Sequence, residues 1–223
     1  MRNKHLKGTH ISERKFRALL KLFCADIAAS KAAVLLNLST KTVQRIYTLL
    51  RERVLSLVAK ENSPLTGEVE IDESYFGARR VRGKRGRGAS GKTPVIGLLK
   101  RDGKVYVKVV KDCSRMELMP IIKGQVLENT TIYTDGWRAY DSLVREGYKH
   151  HRIHHHDNEF AQGKNHVNGI ERFWSFVKLR ITQLRGVRRE KFIIHLMEST
   201  WRFNHRNDNL YLLLLKNLRQ NHL

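Results

Sequence analysis

Gly67-Glu68-Val69-Glu70-Ile71-Asp72 is the stretch on which the fold turns. Before it the apolar residues recur at helical spacing. From Gly67 the acids Glu68, Glu70 and Asp72 alternate with Val69 and Ile71, which is the period of a strand. Two more strands follow, Val95 to Leu99 and Val105 to Val110, joined by Lys100-Arg101-Asp102-Gly103-Lys104, whose Asp-Gly pair signals a hairpin turn. A helix is expected from Arg115 to Ile122, a buried β-branched strand over Thr130–Thr134, and a helix from Trp137 to about Arg145. A short strand is expected at His154 to His156, and helical patterns resume near Asn168 and near Glu190. Strands followed by mixed helices and strands predict an α/β domain, a mixed sheet flanked by helices.

Upstream, Phe16, Leu19, Leu20 and Phe23 form one apolar helix face. Ser30 is placed to cap a second short helix through Ala32, Ala33 and Leu36. After a turn at Asn37-Leu38-Ser39, Ser39 or Thr40 can cap a third helix. In that helix Val43, Ile46, Tyr47 and Leu50 face inward, and Lys41, Gln44, Arg45 and Arg51 face outward. Three helices with a short turn before a basic last one fit an all-α helix-turn-helix region; a plain helical subdomain is the alternative.

The charge favours the first. The 223 residues carry 43 Lys+Arg against 21 Asp+Glu, a formal net charge of +22. Such an excess points to a polyanionic partner, nucleic acid above all. With 41% hydrophobic residues a core is available. No apolar run reaches the length of a spanning helix, and no apolar signal segment follows the basic start Met1-Arg2-Asn3-Lys4-His5. Cys24 and Cys113 are too far apart in sequence for a zinc ribbon and fit a reducing cytoplasm.

Because acids are scarce, their placement is informative. Asp72 continues the polar side of its strand. Asp135 directly follows a buried strand, at the carboxyl end where α/β sites are built. Glu171 borders the helix stripe Ile170, Phe173, Trp174, Val177, Ile181 and Leu184. Three such carboxylates suit two Mg²⁺ ions, hard cations that prefer oxygen ligands and can stabilise the attacking and leaving oxygens of a phosphoryl displacement. Taken singly each acid also has a plain reading, as a turn residue or a solvated surface group.

The segments Val69-Glu70-Ile71-Asp72-Glu73-Ser74-Tyr75-Phe76-Gly77, Thr134-Asp135-Gly136-Trp137-Arg138-Ala139-Tyr140 and His166-Val167-Asn168-Gly169-Ile170-Glu171-Arg172-Phe173-Trp174-Ser175 resemble the ISXO-type DDE domain of bacterial insertion-sequence transposases. The resemblance covers about residues 65 to 205. It implies an RNase H-like fold, with Asp72 as the shared metal ligand and Asp135 and Glu171 completing a site for two Mg²⁺, for which Mn²⁺ can substitute. Glu171 stands 36 residues after Asp135, close to the spacing of DDE enzymes. Asn168 lies one helical turn before Glu171, where related groups use Asn or His as third ligand, so it either assists or replaces Glu171. Lys178, seven residues after Glu171, shares nearly its helix face and can hold a phosphate by charge-assisted hydrogen bonds; an ordinary surface lysine is the alternative. Lys164 and Val167 occupy the places of Tyr and Arg in the longer Tyr-Arg-Glu-Lys signature, so hairpin formation is not implied.

Arg79, Arg80, Arg82, Lys84, Arg85, Arg87 and Lys92 crowd a glycine-rich loop, 78–93, directly after the Asp72 strand, and are expected to follow a phosphate backbone. Lys41, Gln44 and Arg45 are expected to bind DNA from the amino-terminal helices, which would help read the element's ends. The same loop formally matches a nucleotide-binding loop at Gly86-Arg87-Gly88-Ala89-Ser90-Gly91-Lys92-Thr93. A strand pattern follows it where a helix should open, so no nucleotide is expected. His150, His151, His154, His155, His156 and His166 lack the spacing of a zinc site.

The expected organisation is a DNA-binding region at 1–62, a catalytic domain at 65–206 and a helical tail at 207–223. The expected function is an insertion-sequence transposase of the bacterial cytoplasm, associated with the nucleoid. It would act on double-stranded DNA, both the transposon ends and the target, as a homodimer or higher oligomer on DNA, with no membrane partner. The alternatives are a catalytically inactive DNA-binding remnant and an RNase H-like structure-specific nuclease.

Overall fold

A computed structural model describes residues 3–77, 92–101, 103–135, 137–153, 168–184 and 187–223. In chain order the elements are α1 (Glu13–Cys24), α2 (Ala29–Leu36), α3 (Thr40–Lys60), β1 (Glu68–Phe76), β2 (Thr93–Lys100), β3 (Val105–Val109), α4 (Arg115–Gln125), β4 (Thr131–Asp135), β5 (Lys149–Ile153), α5 (Asn168–Gln183), α6 (Arg189–Asn204) and α7 (Leu210–Gln220). They form two compact units, one of residues 1–61 with 184–223, the other of residues 62–183.

The first unit is all helical. Phe16, Leu19, Leu20 and Phe23 of α1 are buried, as the spacing predicts, and Ser12 caps the helix through the Lys15 N–H. Ser39 caps α3 by accepting from the Thr42 N–H at 3.1 Å. Ser30 does not cap α2: the N-cap is Ala28, two residues earlier, and the helix has no side-chain cap. The core of the unit joins these helices to Trp201 of α6 and to Leu214, Leu215 and Leu218 of α7. The two compact units meet in the chain between residues 61 and 62 and again between 183 and 184. Arg51, expected to face outward, turns in to Glu198, Nε to Oε2 at 2.7 Å. The reason is that Glu198 is 1% exposed, and a buried carboxylate is costly unless paired. Arg202 supplies a second guanidinium to it at 2.8 Å and also donates to the Phe23 and Cys24 carbonyls.

The second unit is built on a five-stranded sheet of order β3-β2-β1-β4-β5. β1 to β3 are antiparallel neighbours, while β4 and β5 run parallel to β1. This is the mixed sheet flanked by helices that the order of elements predicts. On one face Val69, Ile71, Ile96, Leu98 and Ile132 pack with Leu118, Ile121 and Ile122 of α4. On the other, α5 lies against β1 and β2, burying Ile170, Phe173, Trp174 and Val177. Arg180 continues that stripe as a buried residue, whereas Leu184 is 37% exposed.

The helix expected from Trp137 to Arg145 is replaced by two 3₁₀ turns, Arg138–Tyr140 and Val144–Glu146. Ala139, Tyr140 and Leu143 are buried, but Val144 is 63% exposed. The apolar face is one turn long, too short to hold a full α-helix against the sheet. The last strand is Lys149–Ile153; the short strand expected at His154 to His156 lies outside the described residues. No helix among the described residues is long and apolar enough to cross a membrane.

Candidate active site

The sheet register brings the first two predicted carboxylates together. β1 and β4 pair in parallel as Glu68 with Thr131, Val69 with Ile132 and Glu70 with Tyr133. The same offset carried two residues on sets Asp72 level with Asp135. Paired residues of adjacent strands point to one face, with the strands about 4.8 Å apart. That face is the one under α5. Asp135, the last residue of β4, accepts at Oδ1 from the Trp137 N–H at 3.0 Å, which fixes the turn leaving the strand.

Across the other edge of β1, Asp72 pairs with Gly97 of β2. A Cβ at Gly97 would come within 2.6 Å of Trp174 Cζ2 and 3.0 Å of Ile170 Cδ1. Only glycine lets the α5 indole lie down beside Asp72. Phe76, farther along the same side of β1, meets Trp174 edge to face with centroids 6.0 Å apart. Burial in this setting pushes the Asp72 carboxyl up to about 6; the Glu73 backbone opposes the shift, and the charges of Asp135 and Glu171 add to it. The Trp174 indole lowers it somewhat, although among the described residues its buried Nε1–H has no hydrogen-bond partner at normal length.

Glu171, in the first turn of α5, is exposed beside the buried stripe, as its spacing predicts, and Lys178 is exposed farther along the same helix. Asp72 thus feels both other carboxylates. The three are not drawn into a closed cluster: among the described residues no three His, Cys, Asp or Glu side chains stand in a metal-holding group. Their chemistry nevertheless fits a hard divalent cation, because converging carboxylates repel one another and present only oxygen donors.

Two further acids of β1 stand near Asp72. Glu73, on the opposite face of β1, accepts a hydrogen bond from the Tyr140 hydroxyl. Burial pushes Glu73 up to about 7 against that hydrogen bond, with Asp72 and Asp135 adding to the rise. Burial and the Glu73 charge hold the Tyr140 hydroxyl well above its ordinary range. Glu70, only 1% exposed, lies beneath α5, where its Oε2 accepts the Ile170 N–H at 2.8 Å. Alternation alone makes Glu70 a strand acid; its position two residues before Asp72, on the same side, is the signal that could have found it.

Of the predicted DNA-contacting residues, Lys41, Gln44 and Arg45 are exposed on the first turns of α3, and Lys92 is half-buried just before β2. Arg79, Arg80, Arg82, Lys84, Arg85 and Arg87 lie outside the described residues. Lys92 leads into a strand, not the helix a nucleotide loop requires. His150 is engaged within the sheet, its Nε2 2.8 Å from the Thr134 hydroxyl, and burial lowers its pKa, with Arg152 and His151 adding to the effect. His151 stacks on Tyr133. The remaining histidines of the run lie outside the described residues.

The family model of the ISXO2-like transposase domain matches residues 64–204. A transposase-like protein of Haemophilus influenzae is 36% identical over 115 residues, 52% of this chain and 93% of its own. A protein in the transposable element ISH50 of Halobacterium salinarum is 32% identical over 177 residues, 72% of this chain and 59% of its own. Among solved structures, a chain of the simian T-cell lymphotropic virus intasome in complex with the PP2A regulatory subunit B56 gamma is 13% identical with a TM-score of 0.39, the match covering 88% of this chain and 74% of that one. A chain of the Mos1 transposase paired-end complex is 12% identical with a TM-score of 0.32, covering 96% and 82%.

Proposed function

Since this chain belongs to the ISXO2-like transposase family, we propose that Asp72, Asp135 and Glu171 form its catalytic centre and that it cuts and rejoins DNA at the ends of its own element. The observation that carries the reading is the level placement of Asp72 and Asp135 on adjacent parallel strands, with Glu171 near enough to raise the Asp72 pKa. Two Mg²⁺ ions, or Mn²⁺ in their place, would supply charge stabilisation to the attacking and leaving oxygens of an in-line displacement.

The protein's own groups divide the remaining work. Asp72, on the central strand, would hold the cations together with Asp135 and Glu171. Asn168, at the start of α5, would assist Glu171 or replace it as the third ligand. Trp174, packed at Gly97 beside Asp72, would keep bulk water from the inner side of that carboxylate. Lys178 would hold a phosphate beside Glu171 by charge-assisted hydrogen bonds. Hydrolysis at the element's end would leave a 3′-hydroxyl, which would then attack target DNA by direct transesterification. Lys41, Gln44 and Arg45 on α3, as part of a helix-turn-helix, would read the ends, and the arginines of 78–93 with Lys92 would follow the backbone beside the cut. Joining two ends calls for a homodimer or larger assembly on DNA.

Asp72→Asn, Asp135→Asn and Glu171→Gln test the assignment against a duplex carrying the element's terminal repeats. Each variant should bind that DNA as the unmodified protein does and show no Mg²⁺-dependent strand cleavage. Cleavage at the unmodified rate by the Asp72→Asn protein would overturn the reading.

A further inference from the structure

Glu70 is a buried acid with an unusual task. Its Oε2 accepts the Ile170 N–H at 2.8 Å, and its Oε1 accepts from Arg101 Nε at 3.0 Å. The first N–H groups of a helix have no partner within it, and a negative charge there is favourable. The partner cation is held in turn: the Arg101 guanidinium lies 3.7 Å from the centroid of the Tyr133 ring and 3.5 Å from Glu68, to which the Tyr133 hydroxyl also donates. A buried ion pair adds little net stability, because desolvation offsets the attraction, but it fixes geometry.

Gly169 makes this contact close. A Cβ there would meet Leu99 Cδ2 at 2.6 Å and Glu70 Oε2 at 2.9 Å. The start of α5 is therefore pinned to β1 at one spot. Asp72 lies two residues beyond that spot on the strand, and Glu171 one residue beyond it on the helix. We infer that Glu70 is a positioning residue: by capping α5 from β1 it sets where Glu171 stands relative to Asp72, and so tunes the affinity of the site for its divalent cations. The inference rests on the reading of these two acids as metal ligands. Outer partners of metal ligands commonly govern affinity in this way.

The test is Mn²⁺ binding by the full chain without DNA, followed by electron paramagnetic resonance, in Glu70→Ala, Glu70→Gln, Gly169→Ala and Asp72→Asn. Glu70→Ala and Gly169→Ala should weaken Mn²⁺ binding on the order of tenfold. Glu70→Gln, which keeps an acceptor for the Ile170 N–H, should recover most of the loss. A merely structural Glu70 would lower the melting temperature of Glu70→Ala yet leave the Mn²⁺ affinity of its folded molecules unchanged, and that result overturns the inference alone. If Glu70→Ala does not fold, unchanged affinity in Gly169→Ala decides in the same way. If Asp72→Asn binds Mn²⁺ as the unmodified chain does, the metal-site reading falls and this inference with it.

Discussion

Gly97 stands directly across the β1–β2 ladder from Asp72, and the Trp174 ring of α5 fills the space its missing side chain leaves. One small residue thereby seats the helix that carries Glu171 against the strand that carries Asp72.

Gly97→Ala should destabilise the sheet unit by about 1–3 kcal/mol, the usual cost of overpacking a filled interior. The Cβ meets a rigid buried ring at 2.6 Å, not the end of a flexible chain. Urea denaturation measures the loss, and an unchanged midpoint would contradict the packing described here.

The carboxyl-terminal helices belong to the amino-terminal fold. Leu214 and Leu218 of α7 are fully buried in the same core as Phe16, Leu19, Leu20 and Val43. Leu218→Ala should cost about 2–5 kcal/mol, and the loss should appear in the helical unit. Hydrogen exchange of the α1 and α3 amides would show it. Protection in those helices equal to that of the unmodified chain would contradict a shared core.

How much of this is legible in sequence depends on the range of the interaction. The strand period at Val69 and Ile71, the α1 face and the Ser39 cap are local signals, and each is found in the structure. So is the position of Asp135 at the end of β4. The core shared by α3, α6 and α7 is hidden, since it joins residues more than a hundred positions apart. The same holds for Arg51, whose partner Glu198 lies 147 residues away, and for Glu70, whose partner is 100 residues away. The segment after Asp135 departs from expectation for another reason: its helical pattern is real but has only one turn of core to face.

Cys24 offers a pH-dependent check. Burial, partly offset by Arg202, raises its thiol to about 11 from 9.0. The unfolded chain ionises this thiol first as pH rises, so folding stability should fall between about pH 9 and 11 and be unaffected by Cys24 below that range. A Cys24→Ala chain should lose that part of the alkaline slope, as read from denaturation midpoints at pH 8 and 10. An identical slope in both proteins would contradict the burial of the thiol.

Lys41 and Arg45, both exposed on α3, test the proposed reading head. Replacing a phosphate-binding cation with alanine should weaken DNA binding and reduce the salt slope by about one for each phosphate no longer neutralised. Filter binding across a salt series measures both quantities. Unchanged affinity and slope in the Lys41→Ala, Arg45→Ala double variant would remove α3 from the DNA interface.

The most direct measurement of the central claim is anomalous diffraction from crystals of the protein grown with Mn²⁺ and an end duplex. Two peaks about 3.5–4 Å apart are expected, shared by Asp72 and flanked by Asp135 and Glu171. Manganese bound away from these three carboxylates, or none beside Asp72, would contradict it.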